Sequence, residues 1–139
     1  MEARYTIFDH TADLGMEIYG NTPQELFSHA AFAVFDIMTD LRHVEVTEER
    51  QIVVEGDGWE DLLVNYLREI LYLFNGERLM LKEYSIKSID THRVEATVRG
   101  ERFDPARHRI HVEIKAVTYH QVAVSDTPDG WRGRVICDV

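Results

Sequence analysis

The chain is short of several things, and each shortage removes a class of function. It has a single cysteine, Cys137, in 139 residues, so neither an intrachain disulfide nor a Cys-x-x-Cys zinc or redox motif can form. No apolar stretch approaches the roughly 20 residues that span a bilayer. The opening MEARYTIFDH lacks the charged-then-apolar pattern of a secretory signal. The expectation is a cytoplasmic protein without a membrane segment. Prolines number only three, and no Pro/Gly/Ser-rich, repetitive or low-complexity stretch interrupts the chain, so residues 1–139 read as one domain. Positive charge is scarce in the first half. Residues 1–60 carry 13 Asp and Glu against 3 Lys and Arg, residues 61–139 carry 12 of each, and the net charge is −10. An acidic half disfavours direct binding along a nucleic-acid backbone, which needs Lys and Arg to displace counterions. It suits a cation or a basic protein surface, or simply serves solubility. GxSxG, Walker and GxGxxG loops are missing too, so nothing marks a self-contained nucleophilic or nucleotide-binding enzyme.

What is present is an ordinary globular composition, 45% hydrophobic and 29% charged, large enough to bury a substantial core. Residues 3–8 are β-prone and lead into DHTADLG at 9–15, a loop rich in turn and capping residues. From Leu14 the pattern alternates, with Leu14, Met16 and Ile18 on one face, and it stops at Gly20-Asn21. A helix is expected from Thr22, because Pro23 suits the first helical position and Glu25 completes a capping box. Phe27, Ala30, Ala31, Val34, Phe35 and Met38 give it a broad apolar face, so it packs deeply. A β segment follows near 44–55. A second helix begins between Asp57 and Trp59 and ends at Asn75-Gly76, with Leu62, Leu63, Tyr66, Leu67, Ile70, Leu71 and Phe74 reading as core. The remainder reads as strands at 79–89, 93–99, about 108–125 and 131–138, with turns at 90–92, Gly100 and 128–130. Two main helices among about seven strands predict an α+β fold, a two-layer sandwich whose sheet is mixed or antiparallel.

Several residues could carry chemistry. Asp9, His10 and Asp13 place two carboxylates and an imidazole within five residues, although Asp9 reads more simply as a turn cap. Asp13, Asp138 and the α-carboxylate of Val139 would make an all-oxygen set suited to Ca²⁺ or Mg²⁺ rather than zinc, if the fold brings them together. In the long strand expected at 108–125, Ile110, Val112, Ile114, Ala116, Val122 and Val124 share a face that Thr118 and His120 interrupt. Lys115 lies on the other face with Glu113 and Val117. It is either a stem lying along the sheet with its head in water or a placed cation. His120 reads first as a core histidine. His108 and His111 fall on opposite faces of a strand, so a shared zinc is not expected.

Taken together, FDHTADLG at 8–15, FDIMTD at 35–40, DLLVNYLREILYL at 61–73, GERFDPARHRIHVEIKAVTYH at 100–120 and the terminal Asp138-Val139 resemble the archease family across essentially the whole chain. Asn65 stands where that pattern suggests an acidic residue. The resemblance implies a compact α+β accessory protein, not an enzyme, that activates an RtcB-type tRNA-splicing ligase. That ligase joins 2′,3′-cyclic phosphate or 3′-phosphate RNA ends to 5′-hydroxyl ends, using GTP and Mn²⁺ through a guanylylated histidine. RNA would be contacted mainly through the ligase. A divalent-cation site, Ca²⁺ by family analogy, would fall on Asp13, Asp138 and Val139, and the functional lysine would be Lys115. His10 and His120, set in the motifs DHTAD and IKAVTYH, join Lys115 as candidate activating residues. Two other readings compete: a metal-dependent phosphoesterase built on Asp9, His10 and Asp13, and a general chaperone or interaction domain with no metal.

Overall fold

The computed structural model describes residues 3–10 and 13–139, apart from the side chains of Asp9 and His10. Strand β1 (Tyr5–His10) and β2 (Asp13–Gly20) precede helix α1 (Pro23–Met38) and a 3₁₀ turn at Leu41–His43. Then come β3 (Glu48–Glu55), α2 (Trp59–Asn75), β4 (Leu79–Ile89), β5 (Arg93–Arg102), β6 (Ala116–Thr127) and β7 (Gly130–Asp138). The strands divide into two sheets, ordered β1-β2-β7-β6 and β3-β5-β4. Every pairing is antiparallel, which settles the choice between a mixed and an antiparallel sheet.

Local chemistry explains the helix ends. The Thr22 hydroxyl accepts the Glu25 N–H at 3.1 Å, and Pro23 starts the helix. The Glu25 carboxylate reaches back to the Asn21 N–H at 3.1 Å, so two orphan donors are satisfied. Helix α1 touches β2 and β7 of one sheet and β4 of the other, and α2 touches β6 of the first and β3, β4 and β5 of the second. The helices therefore fill the space between the sheets. Only Gln24 and Asp36 of α1 are exposed, as expected of a helix covered on nearly all sides. Phe27, Phe35, Tyr66, Leu62, Leu63, Leu67 and Ile70 are fully buried, each large apolar side chain contributing on the order of 1.5–3 kcal/mol. The alternation of β2 holds: Met16 and Ile18 are fully buried, and Leu14 packs against the same core.

The structure corrects the bounds and types of the expected elements at four places. DHTADLG is mostly strand, because β1 and β2 run into it and pair from Tyr5↔Ile18 to His10↔Asp13. Gly100 is no turn: it lies within β5, paired with Leu81, and a Cβ there would collide with the Met80 carbonyl oxygen. The β segment expected at 44–55 begins at Glu48, because residues 41–43 form the 3₁₀ turn. The strand expected at 108–125 begins only at Ala116. Upstream, the Asp104 carboxylate accepts the Ala106 N–H at 2.9 Å, and the Asp104 carbonyl accepts the N–H groups of Arg107 and His108 at 2.9 and 2.7 Å. This turn, with Pro105 inside it, overrides the alternation. His108 and His111 are therefore separated by a loop and not by the two faces of a strand. His108 is buried, while the exposed His111 donates its N–H to the Met38 carbonyl at 2.7 Å.

Candidate functional site

Because β2 and β7 are central and antiparallel, their outer ends meet. Their register sets Glu17 against Arg134, Gly15 against Ile136 and Asp13 against Asp138. Directly paired residues share a face, and the Arg134–Glu17 ion pair at 2.7 Å shows that this is the outer one. On it the Phe8 ring covers Gly15, where a Cβ would strike it, and Arg134 lies 4.9 Å over the same ring. Two residues from opposite ends of the sequence are thus brought side by side. Asp13 is half-buried and Asp138 exposed.

On the other side of Asp138 runs β6, whose Ala116 pairs with it. The Lys115 N–H donates to the Asp138 carbonyl at 2.8 Å, so the lysine's main chain is fixed to the residue that carries the carboxylate. Three segments thus converge: the start of β2, the end of β7 and the entrance to β6. Lys115 itself precedes the strand and is exposed, while Val117 is buried, so the two do not share a face as the sequence pattern suggested. With Arg68, Leu71, Tyr72 and Asn75 of α2, Lys115 lines a surface cleft.

His120 is exposed and not a core histidine. It sits where the β6–β7 register shifts between Thr118 and Ala123, with Gln121 at φ 53°, and its N–H donates to the Thr118 hydroxyl at 3.2 Å. This bulge also breaks the apolar face expected for the strand, since Val117 is buried where Ala116 was expected to be. By register His10 pairs with Asp13. The side chains of Asp9 and His10, including the expected turn cap at Asp9, lie outside the described residues.

Like charges directly opposite on a sheet destabilise it, and a hard cation with oxygen ligands removes that penalty. The paired carboxylates Asp13 and Asp138 fit such an ion. Among the described residues no three His, Cys, Asp or Glu side chains come together, so further oxygens would come from Val139, the main chain or water. Beneath them, burial together with the charges of Asp138 and Asp13 pushes the Cys137 thiol up to about 12. The cysteine is thus a small core residue, not a nucleophile or a soft ligand.

Sequence reasoning missed Arg68 and Tyr119. The Arg68 Nε donates to the Val117 carbonyl at 3.1 Å, and its guanidinium lies 4.7 Å over the Tyr119 ring. The Tyr119 hydroxyl donates to Asp61 at 2.6 Å, which raises the phenol pKa and lowers that of the carboxyl. Arg68 and Tyr119 both lie inside segments that carry the family resemblance, DLLVNYLREILYL and IKAVTYH, but neither pattern sets an arginine on a leucine-rich helix against a strand tyrosine.

Comparison with known proteins places the chain by sequence and by fold. The model of the Archease protein family (MTH1598/TM1083) matches residues 5–139. "Protein archease" of Pyrococcus abyssi is 35% identical over 98% of this chain and 99% of its own length. That of Methanosarcina barkeri is 34% identical over 98% and 96%. The solution structure of Methanobacterium thermoautotrophicum protein 1598 superposes with a TM-score of 0.85 at 32% identity, covering 98% of this chain and 99% of that one. A Thermotoga maritima crystal structure, described as an archease and possible chaperone, gives 0.64 at 21% identity over the full length of both and speaks for the fold alone. The chain belongs to the archease family.

Proposed function

We propose that this archease is an accessory protein, not itself an enzyme, that activates an RtcB-type tRNA-splicing ligase by promoting its GTP- and Mn²⁺-dependent guanylylation and its multiple turnover. The observation that carries the reading is the convergence of Asp13, Asp138 and the Lys115 main chain at one end of the first sheet. In this reading the carboxylates of Asp13, Asp138 and Val139 hold a divalent cation, Ca²⁺ by family analogy. The cation supplies positive charge that ties the start of β2 to the end of β7. An oxygen-only set of two side chains and one chain terminus belongs at the weak end of the roughly 10⁻⁹ to 10⁻³ M range of calcium sites.

The chain's own residues then do the rest. The hydrogen bond from the Lys115 N–H to the Asp138 carbonyl transmits the order of the carboxylate end to the lysine. Lys115 presents an ammonium to the ligase, and His10 and His120 lie within the same two motifs. The protein is expected to act in the cytoplasm. No helix among the described residues is long and apolar enough to cross a membrane.

The test is a guanylylation and multiple-turnover assay of the cognate ligase with and without this protein. Asp13→Ala, Asp138→Ala and Lys115→Ala are each expected to abolish stimulation while leaving the circular-dichroism spectrum unchanged. Full stimulation by all three variants would sink the proposal. Protection of unrelated clients from aggregation, unaffected by Asp138→Ala, would favour a general chaperone. Phosphoester turnover by the protein alone would favour the hydrolase.

A further inference from the structure

We propose that the cleft between the second half of α2 and the entrance to β6 is a phosphate-binding site, in which Arg68 acts as a second functional cation beside Lys115. Tyr72 offers a stacking surface for an attached nucleobase. The cleft is lined by Arg68, Leu71, Tyr72, Asn75, Lys115 and the Ala116-Val117 pair. Two basic residues and no carboxylate line it, in a chain whose net charge is −10; Asp61, on the far side of the Tyr119 hydroxyl, interacts electrostatically with Arg68. A phosphate monoester carries roughly −1.5 to −2 near neutral pH, which matches that pair, whereas a single carboxylate would leave one cation uncompensated.

Arg68 is pre-set for the task. Its Nε is committed to the Val117 carbonyl and its plane rests on Tyr119. Tyr119 is in turn anchored on Asp61 and Asn65 at 2.6 and 3.3 Å. Little side-chain freedom remains to be lost when the terminal guanidinium nitrogens bind, the usual source of affinity in preorganised sites. Lys115 supplies a flexible point charge, the other common phosphate ligand. Tyr72 is 55% exposed, a large aromatic surface left in water beside two cations, as in single-strand sites where bases stack on aromatic rings. The C-terminal end of α2 contributes a partial negative charge at this end of the molecule, and two full cations outweigh it.

This inference rests on reading Lys115 as functional, but its test needs no ligase. Uniformly ¹⁵N-labelled protein is titrated with inorganic phosphate, uridine 3′-monophosphate and guanosine 5′-monophosphate, with uridine as a phosphate-free control at matched ionic strength. Amide shifts are expected at 68–75 and 115–117 with the phosphates and not with uridine. Arg68→Gln and Lys115→Gln should each weaken binding about tenfold, the loss expected for one charge-assisted hydrogen bond. Tyr72→Ala should weaken the nucleotides and spare inorganic phosphate. Tighter binding of the 3′-monophosphate assigns the site to an RNA end, and tighter binding of the guanylate assigns it to the nucleotide. Shifts spread over other basic residues, or unchanged affinity in Lys115→Gln, overturn the site. Lys115 is exposed, so that variant folds and decides the matter even if Arg68→Gln does not. Failure of the titration with ligase stimulation intact refutes this site alone. A positive titration without stimulation refutes the ligase reading alone.

Discussion

Tyr66 is fully buried and its ring packs 5.2 Å from that of Phe27, yet its hydroxyl meets no hydrogen-bond partner among the described residues. Burial also raises its pKa, so the group stays a neutral phenol. An unsatisfied buried hydroxyl costs roughly 1–3 kcal/mol, and Phe keeps the ring. Tyr66→Phe is therefore expected to leave stability unchanged or raise it by about 1 kcal/mol in urea unfolding. A loss of that size would show that the hydroxyl has a partner. Asn65 shows the opposite case. Its amide nitrogen donates to the Glu55 carbonyl at 3.0 Å and to Asp61 at 3.3 Å, and a carboxylate in its place could donate neither bond. The Asn65 amide thus has a local purpose. At this scale the sequence revealed residue types but not neighbours. Asp13 and Asp138 were legible as oxygen donors, but their adjacency depends on a strand register that no local pattern encodes. Lys115 was assigned to a strand face on an alternation that the chain does not follow before Ala116.

Elements whose boundaries rest on local chemistry were the most legible. The Thr22 cap and Pro23 gave the start of α1, and β4 spans Leu79–Ile89 as its pattern indicated. Thr22→Ala removes one capping bond and should cost about 1 kcal/mol, read as a lower urea midpoint with unchanged slope. The loop from 103 to 115 was illegible because a tertiary network holds it. Buried Glu101 accepts Arg107 at 2.9 Å, the Glu45 N–H at 2.9 Å and His108 Nε2 at 2.7 Å. His108 Nδ1 accepts the Asp104 N–H at 2.9 Å, so the ring proton belongs on Nε2, facing Glu101. Burial pushes the Glu101 carboxyl up, but the bonds from Arg107, Glu45 and His108 outweigh it and hold it down at about 2. A carboxyl lowered in the folded state stabilises it fully above its unfolded value near 4.5, and that contribution is lost as pH falls toward 2. Glu101→Gln should therefore flatten the acid limb of the stability curve below pH 4.5 and lower stability at neutral pH. A parallel acid limb in wild type and variant would remove Glu101 from the account.

For the molecule as a whole, the two sheets with helices between them convert an uneven charge distribution into a local one. Residues 1–60 contribute the whole of the net −10, and the β2–β7 register sets one of their acids, Asp13, directly against Asp138. Like charges set directly opposite on a sheet disfavour it, and this pair lies at the joint of three segments. The proposed cation gives that placement a purpose and a measurable sign. A ligand that binds only the folded state adds about 2.7 kcal/mol at one hundred times its dissociation constant, enough to raise Tm by several degrees in a domain of this size. Without calcium, Asp138→Asn should be slightly more stable than wild type, because the repulsion is relieved. With calcium at about one hundred times its dissociation constant the order should reverse, because only the wild type keeps both carboxylates. An extension fused to Val139 should blunt the calcium shift, and the same extension at Met1 should not. A calcium-dependent rise in Tm of equal size in wild type and Asp138→Asn would place the cation elsewhere and leave the carboxylate pair without the role proposed for it.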